Sequence, residues 1–420
     1  MTRTLFVLFV LAGLALAACS RAPLEVPDVV DAGVDAELEL PPVCVEVPPD
    51  GGPLRADLTL PVQLSQVDLM FLIDASGSMA DEIDNVRSRV RNFVVPRVRE
   101  SITGSAFGLA YFGEFPVAPH GNVGSPEPYE LRLPITNDAL RLEAALDLVP
   151  DWSNADYPEA QIEGLYQVAT GEGLDPFIAP SFGCASGGEG GACFRTTALP
   201  VVMLITDAAF HNGPPGIAPI DNYSFTPAPH TYAQTIAALR ARKIVVIGLG
   251  ASDSLGPSAL PHLTALARDT GAVDTEGRAL AFSIGNSGNN VGTAIVTAIE
   301  ELAAGLPLDV DAYAVDVPGD TIDARTLITR VLPFAADPAS GVQQITETTF
   351  VGTQPGTRVT FQIEVDISSL PPTPETQRIP ATIVFRVAQR SIVGERDIVI
   401  LIPGTDGATC NTGFQSRMAR

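Results

Sequence analysis

Asp74, Ser76 and Ser78 place one carboxylate and two hydroxyls at alternate positions, directly after an apolar run, in the stretch FLIDASGSMADEID (71–84). Asp81 and Glu82 follow at once. A second apolar run, LPVVMLITD (199–207), also closes on an acid, Asp207. One carboxylate with two neutral hydroxyls is a hard-oxygen set that suits Mg²⁺ or Mn²⁺. Hydroxyls leave the charge of such an ion only partly neutralised, so it keeps affinity for one more anionic ligand. A carboxylate offered by a partner protein can supply it. The Asp-x-Ser-x-Ser spacing is weak evidence alone. Its place at the end of a buried strand, with a second strand ending in Asp207, gives it specificity, because open parallel sheets bind ligands beyond their carboxyl ends.

The elements that must position these residues follow from apolar periodicity. VDLMFLID (67–74) is a continuous apolar run, hence a strand buried on both faces. AFGLAYFG (106–113), LPVVMLITD and KIVVIGLG (243–250) read as further strands. Between them lie helical patterns. Ile83, Val86, Val90, Phe93 and Val94 share one face of a helix that Pro96 should kink or end. NDALRLEAALDLV, TYAQTIAALRAR and PEAQIEGLYQVA follow, the last with Pro158 in its first turn, and Val291, Ile295, Ile299 and Leu302 mark a final helix. Strands alternating with helices predict an α/β fold with a doubly wound, mostly parallel sheet. After Leu306 the period switches to two. Val359, Phe361, Ile363, Val365 and Ile367 alternate with polar residues, then Ile383, Phe385 and Val387, then DIVILIP. These predict a small antiparallel β-sandwich, to which the 58–64 alternation adds a strand that Pro61 places at an edge.

The bulk numbers set limits. At 420 residues the chain is long enough for two domains. Its 25 basic against 49 acidic residues, a net charge of −24, exclude nucleic acid as a partner and favour cations or basic surfaces. MTRTLFVLFVLAGLALAACS has the charge, apolar stretch and small residues of a secretory signal. Leu16-Ala17-Ala18-Cys19 resembles the bacterial lipobox, in which the cysteine is lipidated and becomes the mature N-terminus. Residues 1–18 are then signal, and the acidic, Pro-punctuated 19–43 a tether from the membrane. Removing Cys19 from five cysteines leaves Cys44, Cys184, Cys193 and Cys410, with three possible pairings. A local Cys184–Cys193 bridge is natural around the glycine-rich CASGGEGGAC, which leaves Cys44 with Cys410. The sandwich is read as 44–66 plus 307–410, the α/β domain as 67–306, and 411–420 as a tail.

Placed at two strand ends, Asp74, Ser76, Ser78 and Asp207 resemble the metal-ion-dependent adhesion site of von Willebrand factor type A domains. NADYPE (154–159) further resembles the Asn-x-Asp-x-Pro-Glu segment of the integrin β-subunit's A-type domain, which sets a glutamate on its central metal. DASGSMADE and YFGEFPVAP are similar to that family's adhesion loop and to a strand end that supplies an acid to a third ion. The resemblance implies a central Mg²⁺ or Mn²⁺ held by Asp74, Ser76, Ser78, Glu159 and Asp207. It implies an adjacent site at Asp81 and Glu82, and a third at Glu114, Asn154, Asp156, Pro158 (through its carbonyl) and Glu159, with Ca²⁺ at the flanking sites. Glu82 and Glu114 stand where the family has aspartate, and the family's disulfide-bearing specificity loop is absent. The resemblance covers residues 57–305 and, more loosely, the sandwich, as in integrins, where the A domain is inserted into a hybrid β-sandwich; the Cys44–Cys410 bridge suits that architecture.

The function this implies is an envelope lipoprotein adhesin, anchored in the membrane by its N-terminal lipid and capturing an Asp or Glu of a protein ligand. Ser20 after the cysteine points to the outer membrane, and the combination resembles surface adhesins of gliding bacteria. The alternative is a structural or assembly factor of the envelope that uses the same domain for a fixed protein contact. No nucleophile–base arrangement, P-loop or zinc motif is visible, so neither an enzyme nor a small-molecule substrate is expected. Plainer roles exist for several residues. Asp81 and Glu82 also suit the first turn of a helix, the arginines of 87–99 a solvated helix face, and His211 a loop position.

Overall fold

The computed structural model describes residues 43–410, apart from 47–53, 63, 65, 122–126, 149–156, 182, 185–186, 252–256, 286–287, 306, 320, 369, 371–372, 388–390, 403 and 405–409, and apart from the side chains of Asp81 and Ser391. The signal segment, Cys19, the tether, the tail, Asn154 and Asp156 therefore lie outside the described residues.

Two strands come first, β1 (Val43–Glu46) and β2 (Leu54–Pro61). The α/β region follows with β3 (Gln66–Asp74), α1 (Ala80–Arg89), α2 (Val95–Ser101), β4 (Gly104–Phe112) and β5 (Glu130–Thr136). It continues with α3 (Ala139–Leu146), α4 (Gln161–Thr170), β6 (Leu199–Thr206), α5 (Tyr232–Ala241) and β7 (Val245–Ala251). α6 (Leu260–Thr270), β8 (Ala281–Gly285) and α7 (Val291–Gly305) complete it. The last strands are β9 (Leu308–Asp316), β10 (Ile328–Asp337), β11 (Gln344–Ile345), β12 (Thr349–Thr353), β13 (Arg358–Val365), β14 (Gln377–Val387) and β15 (Ser391–Ile402).

The central sheet runs β5-β4-β3-β6-β7-β8, parallel throughout except for β5, which is antiparallel to β4. In chain order its strands stand 3-2-1-4-5-6, the doubly wound arrangement whose switch point lies between β3 and β6. Those two strands are buried along almost their whole length, which is why they read as unbroken apolar runs. α1, α2 and α7 cover one face of the sheet, and α4, α5 and most of α6 the other. Among the described residues, no helix is long and apolar enough to cross a membrane.

Two local expectations are corrected. Of the two outcomes expected at Pro96, a kink or an end, the helix does not end: its regular pattern is interrupted by a π turn at Val90–Val94, and α2 carries Pro96 in its first turn. The wider turn shifts the apolar stripe, so Phe93 comes out 36% exposed while Val90 and Val94 are buried. Pro158 is not in a helical turn either. α4 begins at Gln161, and Glu159 instead forms a parallel bridge with Phe210. Glu159 N–H donates to the Ala209 carbonyl (3.1 Å) and His211 N–H to the Glu159 carbonyl (3.0 Å), so sheet-like pairing satisfies this backbone.

The sandwich sets a six-stranded sheet, β1-β15-β14-β9-β12-β11, against a three-stranded one, β10-β13-β2. Phe350, Phe361 and Phe385 meet in the core between them, with ring centroids 5.0 and 5.5 Å apart. β2 precedes the α/β region yet pairs with β13 from Leu54↔Val365 to Pro61↔Arg358, and it is an edge strand, as Pro61 suggests. The α/β region is thus an insertion between strands of the sandwich. The sandwich is not wholly antiparallel: β1 lies parallel to β15. A Cys44–Cys410 disulfide (Cα–Cα 5.8 Å) ties β1 to the chain beyond β15. The second disulfide, Cys184–Cys193, closes the glycine-rich loop, from which Ala192 N–H donates to the Val168 carbonyl at the end of α4 (3.2 Å). Gly171 ends α4 in the left-handed region (φ +68°), where a Cβ would collide with Ser181.

Candidate metal centre

β3 delivers Asp74 to the switch point fully buried, and β6 delivers Asp207 beside it, the two strands being in register up to Ile73↔Ile205. The backbone then turns so that Ser76 N–H donates to Asp74 Oδ1 (2.9 Å). Ser76 Oγ and Ser78 Oγ lie 3.0 Å apart, and Ser78 Oγ donates to Asp207 Oδ1 (3.1 Å). Four side chains from two strand ends therefore form one connected set of oxygens. Among the described residues, no lysine or arginine pairs with Asp74. Burial lifts its carboxyl above the ordinary range, opposed by the hydrogen bonds from Thr206 and Ser76. A buried carboxylate held only by neutral donors is costly unless a cation meets it. Two carboxylates and two hydroxyls at these spacings fit a hard divalent ion.

A supporting layer lies beneath, and sequence reasoning missed it. Thr206 Oγ1 donates to Asp74 Oδ2 (2.6 Å). Gln161, at the start of α4 and fully buried, donates from Nε2 to Thr206 Oγ1 and to the Ala208 carbonyl, both at 3.0 Å. Its Oε1 is buried with no hydrogen-bond partner among the described residues. Tyr157 OH donates to the Asp207 carbonyl (3.2 Å). The sequence signal for Thr206 was its hydroxyl at the last position of an otherwise apolar strand, one residue before the acid.

The remaining predicted ligands are distributed differently. Glu159 is buried, and its backbone is tied to the segment just after Asp207. Among the described residues, no three Asp, Glu, His or Cys side chains form a ready-made metal-binding group. Glu82 is buried on α1 against Gly288, where an added Cβ would lie 3.5 Å from it; the Asp81 side chain, Asn154 and Asp156 lie outside the described residues. Pro158 is buried beside Glu159. Glu114 sits in a separate buried cluster. Its Oε1 and Oε2 accept from Tyr223 OH at 2.6 and 2.8 Å, and His211 Nε2 is 3.5 Å from Oε2. His211, expected in a loop, is fully buried there, with its ring against Tyr223 and His120. Burial, then the charge of Glu114, pushes the Tyr223 phenol well above its ordinary value, and Glu159 and Glu163 add to the effect. Glu159 thus lies between the oxygen set and this aromatic cluster.

No family model and no curated protein matches the chain. Among solved structures it is similar to a von Willebrand factor type A protein from Catenulispora acidiphila, at 13% identity over 88% of this chain and 74% of that one, with a TM-score of 0.34. It is also similar to the pilus adhesin SpaC from Lactobacillus rhamnosus GG in its open conformation, at 14% identity over 83% of this chain, with a TM-score of 0.35. A third is proximal thread matrix protein 1 from the mussel byssus, at 16% identity over 61% of this chain, with a TM-score of 0.34. The chain spans 45% of the SpaC structure and 51% of the byssus protein.

Proposed function

We propose that this chain is a binding module, a lipid-anchored adhesin of the cell envelope whose A-type domain captures a carboxylate of a protein partner. The reading is carried by the oxygen set at the switch point, where buried Asp74 is joined through Ser76 and Ser78 to Asp207. Asp74, Ser76, Ser78 and Asp207 would hold Mg²⁺ or Mn²⁺. Bound there, such an ion supplies an incompletely neutralised positive charge that can accept an Asp or Glu from outside. The chain's own part is to keep two carboxylates desolvated and fixed: Thr206 and Gln161 orient Asp74, and Tyr157 and Ser78 orient Asp207. An integrin β-like variant of the site is part of the proposal, with Glu159 as an additional central ligand and Glu82 beside it. The Cys19 lipid would place the module at the outer membrane, and the two disulfides suit a non-cytoplasmic compartment. A pull-down from envelope extracts in Mg²⁺ and in EDTA tests the function. Partners retained in Mg²⁺ and released by EDTA support it, and identical capture in both refutes it. Calorimetry with Glu159→Ala separates the variants, since wild-type Mg²⁺ binding by that protein would leave a plain A-type site.

A further inference from the structure

A cavity of about 370 Å³, sharing no residue with the candidate metal centre, lies between the edge strand β5 and the chain that follows α4. Its size is that of a small ligand pocket. The walls are held in place. Ile135 N–H of β5 donates to the Ala192 carbonyl (3.0 Å) in the disulfide-closed loop, and Cys193 of that loop forms part of the wall. Gln167 of α4, also in the wall, is fixed at both ends of its amide. Its Nε2 donates to buried Glu163 (2.7 Å), and its Oε1 accepts from Gly173 N–H (2.8 Å). Ser181 N–H closes the turn onto the Gly171 carbonyl (2.8 Å). A site built this way has little left to order when a ligand enters.

Its surface has a definite chemistry. Leu131, Ile178 and Pro180 supply apolar area. Tyr129, only 8% exposed, also lines the cavity, and its hydroxyl is buried with no hydrogen-bond partner among the described residues. Such groups are rare in folded proteins, because an unpaired buried hydroxyl is costly. Two acids, Glu127 and Glu130, complete the site, and among the described residues no Lys, Arg or His lines it. Glu130 is already compensated, by Arg132 (2.6 Å) and by the Tyr111 hydroxyl. Glu127 is not. Partial burial, then the charge of Glu130, raises its carboxyl above the ordinary range, and among the described residues no cation offsets this. An anion would be repelled here, and a purely apolar guest would leave Tyr129 and Glu127 as they are. A positively charged N–H donor answers both.

We propose that this cavity binds a primary ammonium group carried on a short aliphatic chain. The ammonium donates to the Tyr129 hydroxyl and to the Glu127 carboxylate, and the aliphatic chain lies along Leu131, Ile178 and Pro180. A free alkylamine and a lysine side chain of a protein offer the same chemistry. The site does not depend on the adhesion-site reading, since none of its residues belongs to the oxygen set.

Calorimetry on the mature chain in EDTA tests it, with pentylamine, Nα-acetyl-lysine methylamide and the neutral 1-pentanol as probes. Pentylamine should bind with millimolar affinity, and 1-pentanol about tenfold more weakly or not at all. Tyr129→Phe removes only the hydroxyl and should bind pentylamine about tenfold more weakly. Without amine it should melt at the wild-type temperature or above, because an unpaired buried group is gone. Glu127→Gln should weaken pentylamine binding several-fold and flatten its dependence on salt. Binding of the lysine derivative as tightly as pentylamine assigns the site to a partner's lysine, and binding of pentylamine alone assigns it to a free amine; both support an ammonium site. Absence of binding by either amine, equal binding of 1-pentanol, or wild-type amine affinity in either variant overturns the inference. A Tyr129→Phe protein that melts well below wild type would give the hydroxyl an internal partner and overturn it as well.

Discussion

Replacing Asp74 by asparagine separates a metal ligand from a structural acid. The side chain is fully buried, with Oδ1 accepting from Ser76 N–H and Oδ2 from Thr206 Oγ1. Asparagine keeps the first bond. Its amide would donate to Thr206 Oγ1, whose own hydrogen can turn to the Ala208 carbonyl, 3.5 Å away. Because Thr206 Oγ1 already accepts from Gln161 and from Ala208 N–H, one imperfect bond remains, worth about 1 kcal/mol. Against this stands the removal of a buried negative charge. Burial raises the Asp74 carboxyl above its unfolded value of 3.8, so its contribution to stability is complete below that value and lost as the pH rises through the raised one. At neutral pH the metal-free carboxylate is therefore destabilising, and Asp74→Asn in EDTA should melt close to wild type or above it. With Mg²⁺ the order reverses. At about a hundred times its dissociation constant a ligand stabilises by about 2.7 kcal/mol, which for a cooperative unit the size of the α/β region, 67–306, is about 5–11 °C in melting temperature. Thermal unfolding of both proteins, with Mg²⁺ and with EDTA, reads all four values. A wild type that does not respond to Mg²⁺, or an Asp74→Asn protein that responds equally, would refute the reasoning.

Four further outcomes are expected. Thr206→Val preserves shape but removes the hydroxyl that fixes Asp74 Oδ2, and calorimetry should show Mg²⁺ affinity lowered about 10–100-fold; unchanged affinity would mean that Thr206 only fills space. Cys44→Ser opens a bridge spanning 366 positions, and denaturant unfolding should show a loss near the upper end for disulfides, about 5 kcal/mol. A loss below about 1 kcal/mol would show that β1 pairing alone secures the chain end. His262 is held neutral by burial, its Nδ1 accepting from Phe210 N–H (3.1 Å). Its contribution is therefore full above the unfolded value of 6.5 and declines as the pH falls below it, so urea midpoints of wild type should drop more on acidification than those of His262→Leu. Cys19→Ala should yield a soluble protein or an uncleaved precursor, and a variant still acylated and membrane-bound would end the lipid-anchor reading.

Much of this fold is legible because burial and period coincide in the sequence. β3 and β6 read as strands since every position from Val67 to Asp74 and from Leu199 to Thr206 is buried, and the one charged residue inside the runs, Asp68, is paired with Arg195. β13 reads through its strict alternation, with Val359, Phe361, Ile363 and Val365 all inward. β5, α6 and β8 lack such signals. β5 is an edge strand in which Leu133 is the single buried side chain, with Pro134 exposed beside it, and the short β8 is mostly half-buried. In α1 and α2 the apolar period was right until the π turn shifted its phase, and Phe93 was lost with it.

The site divides along the same line. Asp74, Ser76, Ser78 and Asp207 were readable because their placement depends on two strand ends and one tight turn, all local features. Glu114 shows what local reading cannot reach. It follows β4 as a strand-end acid should, yet the residues that settle its surroundings, Tyr223 and His211, lie about a hundred positions later in a loop without periodicity. A buried carboxylate goes wherever donors satisfy it, and at Glu114 the Tyr223 hydroxyl lies within reach of either oxygen while the Phe115 N–H donates to Oε1. Asp74 has only neutral donors too, but its neighbour across the turn is a second carboxylate, Asp207, joined to it through two serines. Hydroxyls can bridge two acids but cannot neutralise them. That difference, more than the presence of acids, is the ground on which a cation is proposed at Asp74 and Asp207.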